Sequence, residues 1–200
     1  MMSNHYYSQS PDVKHNRQVH EVSLRDFSFK LMTDAGVFSK SGVDYGSRVL
    51  IDALELDANA KVLDVGCGYG PIGLTAAKLA ENGQVTMIDI NERAVELSRE
   101  NAKLNQLSNV TVLQSDLFQA VKHLKYDAIV TNPPIRAGKA VVHQIFEEGY
   151  ELLEDGGSMW VVIQKKQGAP SAKVKLESLF DEVEEVTKDK GYRIFRAVKG

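Results

Sequence analysis

Lys61-Val62-Leu63-Asp64-Val65-Gly66-Cys67-Gly68-Tyr69-Gly70-Pro71 runs from a β-branched stretch through three alternating glycines into a segment of helical period. Alternating glycines let a backbone approach a ligand and expose amides at a helix start, and proline suits the first helical turn. A nucleotide-like cofactor is therefore expected across Gly66, Gly68 and Gly70; a tight turn without a ligand is the alternative. Gly68-Tyr69-Gly70-Pro71-Ile72-Gly73 also satisfies the dinucleotide pattern G-x-G-x-x-G, a weak signal by itself. Asp89, 19 positions beyond Gly70, ends the next β-type run. A carboxylate there accepts from ribose hydroxyls in either cofactor class, or else caps the following helix.

Outward from this loop, β-type runs at 61–65, 84–90, 110–113, 126–131 and 158–163 alternate with helix-period segments at 71–81, 92–105, 117–123 and 139–154. Gly156-Gly157 is the expected stop of the last helix. This rhythm predicts a doubly wound, mostly parallel α/β sheet. A further helix at 172–180 precedes β-type runs at 182–188 and 192–199. Their link, Asp189-Lys190-Gly191, is too short for a parallel crossover and predicts an antiparallel C-terminal hairpin, for seven strands in all. Upstream, 19–24 and 27–33 read as a small N-terminal β-hairpin and 45–56 as a helix. Residues 1–18 are an arm, ordered or loose, and 19–200 a single domain.

Composition agrees with one folded unit. The chain has 200 residues, 43% hydrophobic and 26% charged, which excludes a disordered chain or a coiled coil. A net charge of −3 gives no global attraction to nucleic acid, so any such contact needs a local basic patch. Cys67 is the single cysteine, which excludes an internal disulfide, a zinc ribbon and a CxxC pair, and no metal site is expected. Residues 1–16 lack the apolar core of a signal peptide and no run approaches membrane-spanning length, so the cytoplasm is the expected location.

The fourth core strand ends in Thr131-Asn132-Pro133-Pro134-Ile135. Two prolines stiffen the loop and leave carbonyls without neighbouring amide competitors. That suits methylation of a conjugated nitrogen, whose lone pair has to be drawn out of the plane. The Asn132 side-chain oxygen and the Pro133 carbonyl can each accept a hydrogen bond from the target amino group. No nucleophilic cysteine is needed, and Cys67 reads as a packed small residue.

Five parallel strands finished by a hairpin make the sheet expected of class I S-adenosylmethionine (AdoMet) methyltransferases. The chain after the fifth strand is too short for the substrate domain of a nicotinamide enzyme. With AdoMet as cofactor, Asp116 is placed to accept from the adenine amino group, with Ile90 and Leu117 flanking. Asp64 would hold the methionine ammonium directly or through water.

The chain resembles the small methyltransferase family, which includes the catalytic halves of ribosomal RNA guanine-N2 methyltransferases and shorter stand-alone proteins. The matching blocks are Asp34-Ala35-Gly36-Val37-Phe38-Ser39, Val43-Asp44-Tyr45-Gly46-Ser47, the glycine loop, Asn132-Pro133-Pro134-Ile135-Arg136-Ala137-Gly138-Lys139 and Val162-Ile163-Gln164-Lys165-Lys166-Gln167-Gly168. The resemblance implies AdoMet-dependent N-methylation at Asn132, Pro133 and Pro134, with guanine N2 of ribosomal RNA as the acceptor. Protein glutamine-amide methylation and AdoMet binding without catalysis are the competing readings. In related amino-group methyltransferases the residue after the second proline is commonly Tyr or Phe, which stacks on the base. Here it is Ile135, which covers a base face without aromatic stacking, leaving Phe38 or Tyr69 to hold the acceptor unless both are core residues. Arg136 and Lys139, and Lys165, Lys166, Lys173 and Lys175 in a stretch without acids, are expected to contact RNA phosphates; a solvated surface is the alternative.

Overall fold

A computed structural model describes residues 13–37 and 42–200. The first two strands, β1 (Gln18–Leu24) and β2 (Phe27–Thr33), form a separate antiparallel hairpin. The outer edge of β2 is capped by side chains. Asn101 and Asn105 each donate to and accept from its backbone, at Met32 and Lys30 respectively, as a neighbouring strand would. Ahead of β1, His15 Nδ1 and the Asn16 amide bond the buried Asp34 carboxylate at 2.5 and 2.6 Å, and Arg93 bonds the carbonyls of Val13 and Ala35. Residues 13–17 are thus tied to Asp34 and Arg93.

The chain then enters α1 (Tyr45–Ala53), β3 (Lys61–Val65), α2 (Pro71–Leu79), β4 (Gln84–Asp89), α3 (Glu92–Leu104), β5 (Val110–Gln114) and β6 (Tyr126–Thr131). It continues through α4 (Lys139–Leu152), β7 (Leu153–Gln164), α5 (Ala169–Glu177), β8 (Glu182–Asp189) and β9 (Tyr192–Val198). The seven-stranded sheet has the order β5-β4-β3-β6-β7-β9-β8, with β9 antiparallel to both neighbours and the remaining pairs parallel. Strand order reverses between β3 and β6, where the crevice at the carboxyl ends of open α/β sheets is expected to open.

Strand side chains alternate between two cores. Val62, Val85, Met87, Val130 and Trp160 meet α1 to α3, whereas Leu63, Val65, Ile88, Ile129 and Val161 meet α4 and α5. Trp160, Phe118, Phe146 and Phe195 are fully buried, each contributing roughly 1.5–3 kcal/mol of transfer free energy. Among the described residues no helix is long and apolar enough to cross a membrane.

Two expectations fail locally. The helix predicted at 117–123 is a run of turns. Leu117 has φ +47°, Ser115 Oγ bonds both the Leu117 carbonyl and the Ala120 amide, and amides of Gln119, Val121 and Leu124 reach back three residues. The hydroxyl and the left-handed residue supply local bonds that compete with helical ones. Gly156-Gly157 does not stop α4, which ends at Leu152. These glycines lie within β7, where the pairing with β6 is irregular and the Gly156 amide (φ +79°) bonds the Lys199 carbonyl.

Candidate active site

The carboxyl ends of β3 and β6 are tied by a 2.9 Å bond from Thr131 Oγ1 to the Val65 carbonyl. Above that tie opens a cavity of about 550 Å³, lined by the loops after β3, β4, β5 and β6 and by α4. The glycine loop and the Asn-Pro-Pro loop face each other across it.

On the first side the backbone is held tightly. The Gly66 and Cys67 amides both donate to the Ile88 carbonyl, at 2.9 and 3.0 Å. The Gly68 amide donates to Asp89 Oδ2 at 2.8 Å and the Asn91 amide to Asp89 Oδ1 at 2.9 Å. Gly66 and Gly68 hold φ of +72° and +58°, where side chains are disfavoured. Asn91 caps α3, so Asp89 is not consumed as the cap. Burial pushes the Asp89 carboxyl up to about 6, against the lowering effect of the Asn91, Gly68 and Ile90 amides. Asp89, Ile90, Asp116 and Leu117 line the cavity together with Gly66 and Gly68. Asp116 is exposed at the rim, with no helix after it to cap. A carboxylate beside left-handed glycines and a second one after the neighbouring strand, both on the same open cavity, fit an adenosine-bearing ligand.

Gly70 and Asp64 do not line this cavity. Gly70 (φ +106°) is the N-cap of α2. Asp64 lies on the other face of β3 from Val65, and a Cβ on Gly73 would stand 2.8 Å from its Oδ2, so it sits beneath α2. Neither of its oxygens has a donor in bonding geometry. Burial pushes its carboxyl up to about 7 against the nearby Gly73 amide, and Asp89 adds to the rise. Strand alternation is the reason: a residue next to one lining the cavity points away from it. Direct contact from Asp64 to a bound methionine ammonium is therefore not what this geometry offers. Cys67 is buried, with its sulfur 3.6 Å from Ser98 Oγ, and burial raises its thiol well above the usual range.

On the second side, Asn132 Nδ2 donates to Ser47 Oγ at 3.1 Å and to Asp44 Oδ1 at 3.3 Å. A carboxylate only accepts, so this contact fixes which way the amide points, and Asn132 Oδ1, on a residue that lines the cavity, is left without a donor from any described residue. The Pro133 carbonyl receives no hydrogen bond from any described residue. The Pro134 carbonyl is taken by the Ala137 amide at 2.9 Å, so of the two proline carbonyls only that of Pro133 is open. Ile135 and Arg136 line the cavity, the first half-buried and the second exposed. Tyr69 is only 3% exposed and its carbonyl accepts from Asn101 Nδ2, yet it also lines the cavity; Phe38 lies outside the described residues.

The basic residues separate into two groups. Lys165 and Lys166 stand exposed on a single 3-10 turn beside Gln167, which lines the cavity, and Lys139 borders a small neighbouring pocket with His143. Arg136, Lys139, Lys165 and Lys166 have no acidic partner among the described residues. Lys173 and Lys175, expected in the same patch, are paired instead: Lys173 with Glu177 at 3.5 Å, Lys175 with Glu147 of α4. The stretch lacks acids in sequence, but the neighbouring helix supplies one.

Sequence reasoning missed Asp44 and Ser47 as parts of the site. Asp44 caps α1, accepting from the Ser47 amide at 3.0 Å. An Asp-x-x-Ser pattern before a helix is a readable cap signal. Nothing in it announces that the same two side chains reach a loop 85 to 88 residues away.

A Rossmann-like sheet with an AdoMet-type loop facing an Asn-Pro-Pro loop defines a class I AdoMet-dependent methyltransferase. The model of the methyltransferase small domain family matches residues 28–196, and the chain belongs to that family. It is 56% identical to the uncharacterized protein YbxB of Bacillus subtilis over 99% of this chain and all of that one. It is 34% identical to ribosomal RNA small subunit methyltransferase C of Vibrio cholerae, over 91% of this chain and 51% of that protein. Among solved structures, the Thermus thermophilus 16S rRNA N2 G1207 methyltransferase (RsmC), in complex with AdoMet and guanosine, superposes with a TM-score of 0.83. There the identity is 25%, over 95% of this chain and 52% of that one. The chain thus spans about half the length of the ribosomal RNA methyltransferases it matches.

Proposed function

We propose that this chain methylates ribosomal RNA from AdoMet, at the exocyclic N2 of a guanine. The observation that carries this reading is the pair of open acceptors, Asn132 Oδ1 and the Pro133 carbonyl, on one wall of the cavity. AdoMet supplies an electrophilic methyl group on a sulfonium sulfur. Asn132 and Pro133 each accept a hydrogen bond from the amino group, which turns the nitrogen lone pair out of conjugation and toward the cofactor side, and the proton that the methylated nitrogen sheds leaves to solvent. Asp89 and Asp116 serve the cofactor's ribose and adenine, and Gly66 and Gly68 give its chain close access to backbone. Ile135 covers one face of the base. Arg136, Lys139, Lys165 and Lys166, without an acidic partner among the described residues, favour a polyanion over a glutamine-bearing protein, because unpaired cations near a site raise affinity for phosphates. The cytoplasm is the compartment where such a substrate is found. Mass-spectrometric mapping of ribosomal RNA from cells with and without the protein tests the reading. Loss of one N2-methylguanine is expected; unchanged RNA with a lost methylglutamine would replace it with the protein-acceptor reading.

A further inference from the structure

Asp44 presents two oxygens with different fates. Oδ1 accepts from the Ser47 amide and from Asn132 Nδ2, while no described residue donates to Oδ2. The residue is half-buried and lines the same cavity as Asn132 and Pro133. The acceptor wall therefore carries a row of hydrogen-bond acceptors, two for an amino group and a carboxylate next to them, with no donor among the three.

A row of acceptors selects by what lies beside the amino group in the substrate. In guanine the 2-amino group adjoins the ring N1–H, a further donor. In adenine and cytosine the amino group adjoins a ring nitrogen with a lone pair, and in a glutamine side chain it adjoins a carbonyl oxygen. Each of those would set a lone pair against the Asp44 carboxylate. We propose that Asp44 is the specificity-determining residue, Oδ2 accepting the N1–H of guanine while Asn132 and Pro133 hold the amino hydrogens. This rests on the guanine-N2 reading and deepens it: the same residue rejects adenine, cytosine and glutamine amide. A paired contact of this kind is worth roughly 10- to 100-fold in discrimination.

The test compares guanosine with 2-aminopurine riboside, which keeps the 2-amino group but carries a lone pair at N1. Both are titrated into the full chain saturated with S-adenosylhomocysteine. The wild type should prefer guanosine by about 10- to 100-fold. Asp44→Asn keeps the cap and an oxygen for Asn132 but turns an amide N–H toward N1, so it should reverse the preference toward 2-aminopurine. Asp44→Ser also keeps a cap and should abolish the preference without reversing it. A structural role alone would weaken both nucleosides equally. Equal wild-type affinities, no guanosine binding, or an Asp44→Asn variant that still prefers guanosine overturns the proposal. The guanine-N2 reading then stands or falls separately, on the ribosomal RNA map.

Discussion

The two walls of the cavity are built on different plans. On the glycine side nearly every polar group is engaged: Gly66, Cys67 and Gly68 amides are bonded, Ser98 Oγ donates to the Gly68 carbonyl at 2.7 Å, and Asn101 holds the Tyr69 carbonyl. On the Asn-Pro-Pro side the groups that matter are left open, and the support for Asn132 comes from its neighbours in the same wall, Asp44 and Ser47. A cofactor that is the same in every cycle suits a wall fixed by its own backbone. An acceptor that has to be chosen and then strained suits a few open acceptors held rigid by the side chains next to them.

The sharpest way to break this comparison is to damage one wall and measure the other. Asn132→Ala should lower kcat by about 10²–10³-fold while AdoMet affinity moves by no more than a few fold, because the lost oxygen orients the acceptor. Asp89→Ala should do the reverse, weakening AdoMet by roughly 10- to 100-fold in calorimetry as the ribose loses its acceptor and the Gly68 and Asn91 amides lose theirs. If Asn132→Ala binds AdoMet as poorly as Asp89→Ala, the walls are not separate and the division of labour is wrong.

A smaller effect separates the two groups of lysines. Replacing Lys165 and Lys166 with Ala should flatten the log–log salt dependence of RNA affinity by about 1.4–1.8, two phosphate contacts' worth. Replacing Lys173 and Lys175, which already face Glu177 and Glu147, should change that slope little. Equal slopes for the two double variants would show that acidic partners do not decide which lysines meet RNA.

Legibility followed the range of the forces. The five core strands, the hairpin after Asp189-Lys190-Gly191 and the Asn-Pro-Pro loop were readable because they rest on local period, turn length and proline geometry. The turns at 117–123 were not, since one serine hydroxyl and one left-handed leucine overrode a helical pattern. Asp89 and Asp116 were legible as cavity residues because strand ends converge at the switch point. Asp64 faces α2 rather than the cavity, by one step of strand alternation. The Asp44–Asn132 contact spans 88 residues, and only the folded sheet brings its ends together.

The smallest effect is a stability effect, and it tests the placement of Asp64. Ordinarily this carboxyl would ionise near 3.8; buried beneath α2 without a bonded donor, it is pushed up to about 7. Between those values the folded chain holds a proton that the unfolded chain has released. The contribution of Asp64 is therefore fully favourable below 3.8 and is lost as pH rises through about 7. Asp64→Asn keeps the shape and removes the titration. The difference in melting temperature, variant minus wild type, should grow as pH is raised from about 5 to about 8, by several degrees for a loss on the order of 1–3 kcal/mol. Taking that difference cancels the titration of other groups, except for the part of the Cys67 rise that Asp64 contributes. Parallel melting curves for the two proteins across this range would mean that Asp64 has a donor after all, and that its carboxylate is solvated or bonded within reach of the cavity.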